Sequence, residues 1–288
     1  MIIGTRDSAL AMRQTEIFTE ALKRVYPKQG FTVKAMKSSG DLDLSAPLDQ
    51  LQGFGAFVRE LDAALLSEEI DVSVNSMKDM PVTLPEGLCI AAVLERADTR
   101  DVILPLNINE LPLGAKVGTS SIRRKAELKA IRPDIVSLPL RGNIQTRLSK
   151  LDSGEYDSII LAKAGLDRLS VDRRMHILSL DSFVPAPAQG AIAIVCRSND
   201  QRMKEIISWV DDRRTRKEVT VEREIMKMIG AGCSSPVGIN ATIEDEGLRV
   251  RAVSFEIDPP ILLSVLLPFE YTQKDLKKIS KKLRTVPE

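Results

Sequence analysis

Two residues in this sequence stand where their chemistry would be usable. Cys233 lies in the loop Gly230-Ala231-Gly232-Cys233-Ser234-Ser235-Pro236, among glycine and serine rather than apolar neighbours. Cysteines usually pack into cores, so a thiol in such a loop is accessible, and its thiolate can act as a nucleophile or be alkylated. A redox thiol and an inert surface cysteine fit the same residues, and the local pattern leaves all three open. Asp79 closes Asn75-Ser76-Met77-Lys78-Asp79 at the end of an apolar strand. A carboxylate there can hydrogen-bond a substrate N–H, balance a developing cation and move protons. Capping a turn beside Lys78 is an equally good reading of its position.

Around these two runs a set of anion-binding turns: Thr5, Arg6 and Ser8; Lys78; Thr119, Ser120, Ser121, Arg123 and Arg124; Arg141, Gly142 and Asn143. Hydroxyls and backbone amides at helix starts receive anionic oxygens, and arginine adds a two-pronged donor that matches a carboxylate. Singly, each position reads as an ordinary cap or a surface arginine. Gathered at strand ends in a nearly neutral chain, they read as an anion site. Carboxylates are favoured over phosphates, because neither a P-loop nor a Gly-x-Gly-x-x-Gly turn is present.

The elements that must carry these turns alternate. Ile2-Ile3 reads as a short strand, and Leu10, Ala11, Gln14, Ile17, Phe18, Ala21, Leu22 and Val25 mark one face of a helix ended by Pro27 and Gly30. Strands are expected at 31–36 and 71–74, with a helix at 57–66 between them. The loop from Ser38 to Gly55 is long enough to be a functional segment. The alternation repeats from 116 to 169, and such alternation implies parallel sheets. Ile3-Gly4-Thr5 and Val117-Gly118-Thr119 occupy the same strand-to-helix position, as two related lobes facing one cleft would require. The last 85 residues read as strands at 237–243, 248–255 and 262–267, then a helix from Thr272 with Asp275 placed for a capping box. The expected fold is α/β, with two periplasmic-binding-protein-like lobes of mainly parallel sheets plus a small C-terminal α+β domain. The boundaries are 1–94 with 185–203 for lobe 1, 95–184 for lobe 2 and 204–288 for the third domain.

Bulk properties exclude several functions. The 288 residues carry 41 Lys and Arg against 40 Asp and Glu, a net charge of +1 that offers no sustained field for nucleic acid or an anionic membrane. Aromatic residues are 4%, too few for a base-stacking platform. One histidine, His176, excludes histidine triads and multi-histidine zinc sites; it reads as a surface or cap residue. Three cysteines do not make a disulfide framework or a paired metal site, and Cys89 and Cys196 read as core. The polar start at Gly4-Thr5-Arg6-Asp7 and the shortness of every apolar run suggest neither signal peptide nor membrane span, so a cytoplasmic protein is expected.

The ordered motifs resemble the porphobilinogen deaminase (hydroxymethylbilane synthase) family. They are Gly4-Thr5-Arg6-Asp7-Ser8, Gly40-Asp41, Phe57-Val58-Arg59-Glu60-Leu61, Ser76-Met77-Lys78-Asp79-Met80-Pro81, Gly118-Thr119-Ser120-Ser121-Ile122-Arg123-Arg124 and Leu140-Arg141-Gly142-Asn143. They continue with Thr146-Arg147-Leu148, Ala164-Gly165-Leu166, Pro185-Ala186-Pro187-Ala188-Gln189-Gly190-Ala191 and Gly232-Cys233. The resemblance implies a transferase of haem and tetrapyrrole biosynthesis. It would join four porphobilinogens head to tail on a dipyrromethane cofactor, with loss of ammonia, and then release linear hydroxymethylbilane by hydrolysis. By matched position, Cys233 would carry the cofactor through a thioether, with Lys78, Thr119, Ser121, Arg123, Arg124, Arg141 and Gly142 around it. Arg6, Ser8, Arg147, Arg174 and Gln189 would hold substrate carboxylates. Asp79 would be the catalytic aspartate, meeting pyrrole N–H groups and an azafulvene-like cation. No metal and no macromolecular partner are implied, and a monomer is expected. Three departures stand out: Asn75 for a common histidine, Ala188 for a glycine, and Gln52-Gly53-Phe54-Gly55 for a Gly-Gly-Lys-Gly loop. A two-lobed small-anion binding or sensor protein without catalysis is the alternative; it leaves the glycine-loop Cys233 unexplained.

Overall fold

The computed structural model describes residues 1–37, 58–232 and 235–284. Cys233 and the 38–55 loop, with Gly40-Asp41, Phe54 and Phe57, lie outside the described residues. Those described within Met1–Ala97 and Gly190–Lys217 form one compact unit, and those within Asp98–Gln189 and Glu218–Glu288 form another.

The first unit begins with β1 (Ile2–Arg6), α1 (Ala9–Val25), β2 (Thr32–Met36), α2 (Arg59–Leu66), β3 (Val72–Ser76) and β4 (Leu88–Val93). Its sheet runs β2-β1-β3-β10-β4, where β10 (Ile192–Arg197) comes from far along the chain. β1 is parallel to β2 and β3, whereas β10 is antiparallel to both β3 and β4, so four of the five strands point one way. The helix face anticipated from the apolar spacing is the buried one: Ala11, Gln14, Phe18 and Leu22 are all inside. Phe18 and Leu22 pack with Ile3, Val72, Val74, Ile192 and Ile194. Cys196 belongs to this core, while its cross-strand neighbour Cys89 is only partly covered, with the sulfurs 3.8 Å apart.

The second unit repeats this plan. It contains β5 (Asp101–Leu104), β6 (Lys116–Gly118), α3 (Ile122–Ile131), β7 (Val136–Leu138), α4 (Ile144–Asp152), β8 (Ser158–Ala162), α5 (Lys163–Arg168) and β9 (His176–Ile177). The sheet order is β7-β6-β8-β5-β9, again with two parallel pairs followed by two antiparallel ones. Position by position this matches the first sheet, β6 standing where β1 stands. Gly4 and Gly118 share a reason for being glycine. A Cβ at Gly118 would lie 2.9 Å from both Ile159 and Tyr156, and one at Gly4 would strike Ile70 and Leu61. In each lobe a neighbouring side chain packs directly against the glycine of the strand.

The same unit holds α7 (Arg213–Ile229, entered after α6, Gln201–Ser208) beyond Lys217, then β11 (Val237–Glu244), β12 (Gly247–Ser254), β13 (Ile261–Leu267) and α8 (Gln273–Lys282). These three strands form an antiparallel meander. Thr272 and Asp275 make the expected capping box, and α8 buries Leu276 and Ile279. The α/β class read from the sequence is therefore what the sheets show, two lobes and a small antiparallel C-terminal sheet. What alternation alone does not anticipate is the antiparallel strand that stands fourth in each five-stranded sheet.

Candidate active site

In the first unit β3 runs into a single 3-10 turn, Met77–Asp79. Met77 and Met80 are each 3% exposed and anchor the turn in the core, which leaves Lys78 and Asp79 half-buried at the surface. The Met77 N–H donates to Ala191 O at 3.1 Å, fixing the turn against the strand beside it. Ser8 caps α1 by accepting from Ala11 N–H at 3.3 Å, so its own O–H remains able to donate. A cavity of about 60 Å³ is lined by Arg6, Ser8, Gln14, Asn75, Ser76 and Asp79, together with apolar side chains. Gln14 and Ser76 hydrogen-bond across it, at 2.8 Å for the amide donation. Buried Asn75 donates to Ser73 Oγ at 2.8 Å. The structure thus brings Arg6, Ser8 and Asp79 together beyond the carboxyl ends of β1 and β3, where open α/β sheets hold ligands.

In the second unit the corresponding turn follows β6. Thr119 is 2% exposed and receives Ser121 N–H at 3.3 Å. Ser121 caps α3 by accepting from Arg124 N–H. Ser120 is paired in both directions with the backbone of Leu140 at 3.0 Å, which ties this turn to Arg141-Gly142-Asn143. Gly142 has φ +105°, a conformation that favours glycine, and a Cβ there would fall within 2.7 Å of Thr146. Its carbonyl accepts from Arg147 Nε at 2.7 Å, so the Arg147 side chain folds back over the turn.

Arg123 and Arg124 point inward instead. They are 4% and 7% exposed and share one carboxylate: Arg123 Nη2 donates to Asp101 Oδ2 at 2.8 Å and Arg124 Nη2 to Asp101 Oδ1 at 2.6 Å. Arg123 Nη1 also donates to Glu127 at 2.6 Å and to Val184 O at 2.8 Å. Gln189 Nε2 donates to Asp101 Oδ1 and Thr99 O, both at 2.8 Å. Burial by itself raises the Asp101 carboxyl, but Arg124 and Arg123 outweigh it and hold the group well below the usual carboxylate range. Burial pushes Glu127 up to about 7 against the pull of Arg123, with Asp101 adding to the rise. Each arginine keeps a buried Nε–H with no hydrogen-bond partner among the described residues.

Arg174 is not with the others. β9 pairs His176 with Ile103, so Arg174 approaches from the end of the sheet where β8 begins, opposite the end that carries Ser121. Its guanidinium is 63% exposed and sits on Glu110 at 3.0 Å. Beside it His176 approaches Pro105 O at 3.2 Å. Arg168, outside the matched motifs, lies instead on α5, the helix that follows the carboxyl end of β8. Burial pulls its guanidinium down to about 10, against the opposing effect of Asp167. Asp101 was passed over too, although a charged residue opening the apolar run Val102-Ile103-Leu104 is a signal that could have found it.

Residues 1–205 match the family model for the porphobilinogen deaminase dipyrromethane cofactor binding domain, and 216–261 the model for the porphobilinogen deaminase C-terminal domain. The chain belongs to the porphobilinogen deaminase family. It is accordingly a transferase of tetrapyrrole biosynthesis, acting on porphobilinogen with a dipyrromethane cofactor. Solved structures similar to it include a nutrient binding protein from Burkholderia cenocepacia bound to methionine, at 13% identity over 75% of this chain and 94% of that one, with a TM-score of 0.43. An ancestral cationic amino acid solute binding protein matches at 11% identity over 78% and 93%, with a TM-score of 0.46. Among the described residues there is no His, Cys, Asp and Glu group suited to a metal, and no helix long and apolar enough to cross a membrane.

A dipyrromethane carries acetate and propionate side chains, which call for cationic and hydroxyl donors. Thr119, Ser121, Arg141 and Arg147 offer that donor set on two tied turns, so the residues present fit the group.

Proposed function

We propose that Asp79 is the catalytic carboxylate of this deaminase and that Arg6 and Ser8 hold the carboxylates of the incoming porphobilinogen. The observation that carries this reading is the shared cavity: Asp79, Arg6 and Ser8 line one recess in the first unit. When bound, the dipyrromethane supplies the free pyrrole end to which substrates are added. Cys233 would hold it covalently, and Lys78, Thr119, Ser121, Arg141 and Gly142 would receive its side chains. Arg147 and Arg168 complete the set of groups for substrate carboxylates, and Gln189, with both amide hydrogens on Thr99 O and Asp101, supports the site from behind. Arg123 and Arg124 act from behind, their charges fixed by Asp101.

Asp79 accepts a hydrogen bond from the substrate pyrrole N–H. As ammonia leaves, positive charge spreads onto that nitrogen, and the carboxylate is worth more there than in the ground state. Asn75 and Ser76 keep the recess polar behind it. The same reading treats the second unit as a lobe plus a C-terminal domain, and the chain as a cytosolic monomer.

Two measurements test it. The purified protein should exceed its bare-chain mass by one dipyrromethane, with the increment confined to the peptide containing Cys233. Asp79→Asn should fold and keep that increment while losing nearly all turnover. Full turnover by Asp79→Asn would remove Asp79 from the mechanism, and an unmodified chain that consumes no porphobilinogen would remove the enzyme reading itself.

A further inference from the structure

Three described residues other than glycine adopt a left-handed backbone: Glu68, Ser170 and Ala188. Glu68 and Ser170 are exposed and follow helix ends, the usual place for this conformation. Ala188 differs on both counts. It is 1% exposed, has φ +60°, and directly follows Pro185-Ala186-Pro187, ahead of β10. A buried alanine stays there only if its surroundings over-determine it.

Two contacts restrain it: Gln189 N–H closes a turn onto Ala186 O at 3.0 Å, with Pro187 and Ala188 at its centre, and a buried carboxylate takes the Ala188 N–H. Glu222, on α7, is 0% exposed. Its Oε2 accepts from Ala188 N–H at 2.6 Å and its Oε1 from Ala241 N–H at 2.6 Å, with the Asn240 amide 3.5 Å away. Short hydrogen bonds from backbone N–H groups to a buried carboxylate are of the strong, charge-assisted kind. The next residue is Gln189, whose amide completes the Asp101 cluster that fixes Arg124. A continuous chain of hydrogen bonds therefore runs from β11 through Glu222 to the Ala188 backbone, and from Gln189 to Asp101 and Arg124.

We propose that Glu222 is a positioning residue: by holding the Ala188 backbone it seats Gln189 on Asp101, and so fixes the buried arginine cluster that backs the anion-binding turns of the second unit. The kinetic half of this rests on the carboxylate-binding role proposed above for those turns. Glu222→Gln keeps the shape but turns one acceptor into a donor facing a backbone N–H. Glycine at 188 adopts φ +60° without restraint, so Ala188→Gly removes the need for the clamp.

The experiment is a double-mutant cycle in the full-length holoenzyme, reading Tm and the KM for porphobilinogen. Glu222→Gln should lower Tm and raise KM about fivefold to tenfold, the size of one typical net hydrogen bond. Adding Ala188→Gly should return KM to within about twofold of wild type, and should raise Tm by about 2 °C more in the Glu222→Gln background than alone. Equal Tm increments in the two backgrounds, with KM unrescued, would overturn the proposal and leave Glu222 a packing residue. Unequal increments with a KM that never moves would uphold the clamp and sink its link to substrate binding. Should Glu222→Gln not accumulate as folded protein, recovery of folded protein in the double variant supports the clamp, and its absence overturns it.

Discussion

Arg124 and Asp101 meet at 2.6 Å with essentially no access to water, and Asp101 spends its second oxygen on Arg123. Two guanidinium charges thus share one ionised carboxylate in the interior, while Glu127, pushed up to about 7 by burial, accepts from Arg123 beside it. A buried pair contributes little beyond what an apolar core would, but removing one partner leaves a charge stranded.

Asp101→Asn should therefore cost about 3–5 kcal/mol at neutral pH, measured by urea denaturation. The carboxyl is depressed in the folded state. Its contribution is complete above its unfolded value, near pH 4, and is lost only as pH falls below that. The wild-type and variant curves should hence converge only in acid. A variant as stable as wild type at pH 7 would show that the cluster is not held by this residue.

Asp62 predicts a pH dependence of opposite sign. It is 8% exposed on α2, and burial pushes its carboxyl up to about 6. The folded protein then binds more protons than the unfolded chain between about pH 4 and 6, so stability falls as pH rises through that window. Asp62→Asn removes the penalty. The variant should be more stable than wild type by about 2–3 kcal/mol at pH 8, with the difference gone below about pH 4. Parallel pH profiles for the two proteins would contradict this.

Arg168 and Arg174 should part company in kinetics. Arg174 is on the surface with Glu110, and an exposed ion pair is worth under about 1 kcal/mol, so Arg174→Ala should leave kcat/KM within about twofold. Arg168→Ala removes a partly desolvated guanidinium at the ligand-binding end of the sheet. It should lower kcat/KM about 10- to 100-fold, as for a lost hydrogen bond to a charged group. The reverse order would return Arg174 to the site.

Local features were legible from the residues. Ser8, Ser121 and Asn143 each cap the helix they precede, and Thr272 with Asp275 forms its box, because those contacts close within three or four residues. The strand–glycine–threonine echo likewise pointed to two similar lobes. β4 and β5 were harder to see: one is an unalternating apolar run, the other four residues stopped by a proline. Neither carries a period that separates strand from other buried segments.

The sequence by itself determined the turn chemistry and, through its ordered motifs, the family. Tertiary structure alone decided which charges face a ligand and which face each other. Arg123 and Arg124 read as site residues from their motif, yet they are turned inward by Asp101, 22 and 23 residues away, and by Gln189, 88 residues from that aspartate. Arg174 was likewise separated by strand pairing rather than by anything in its own neighbourhood. Helix and turn bonds are written in adjacent residues, whereas the partners of a buried charge are chosen by how distant strands pair to cover their apolar faces.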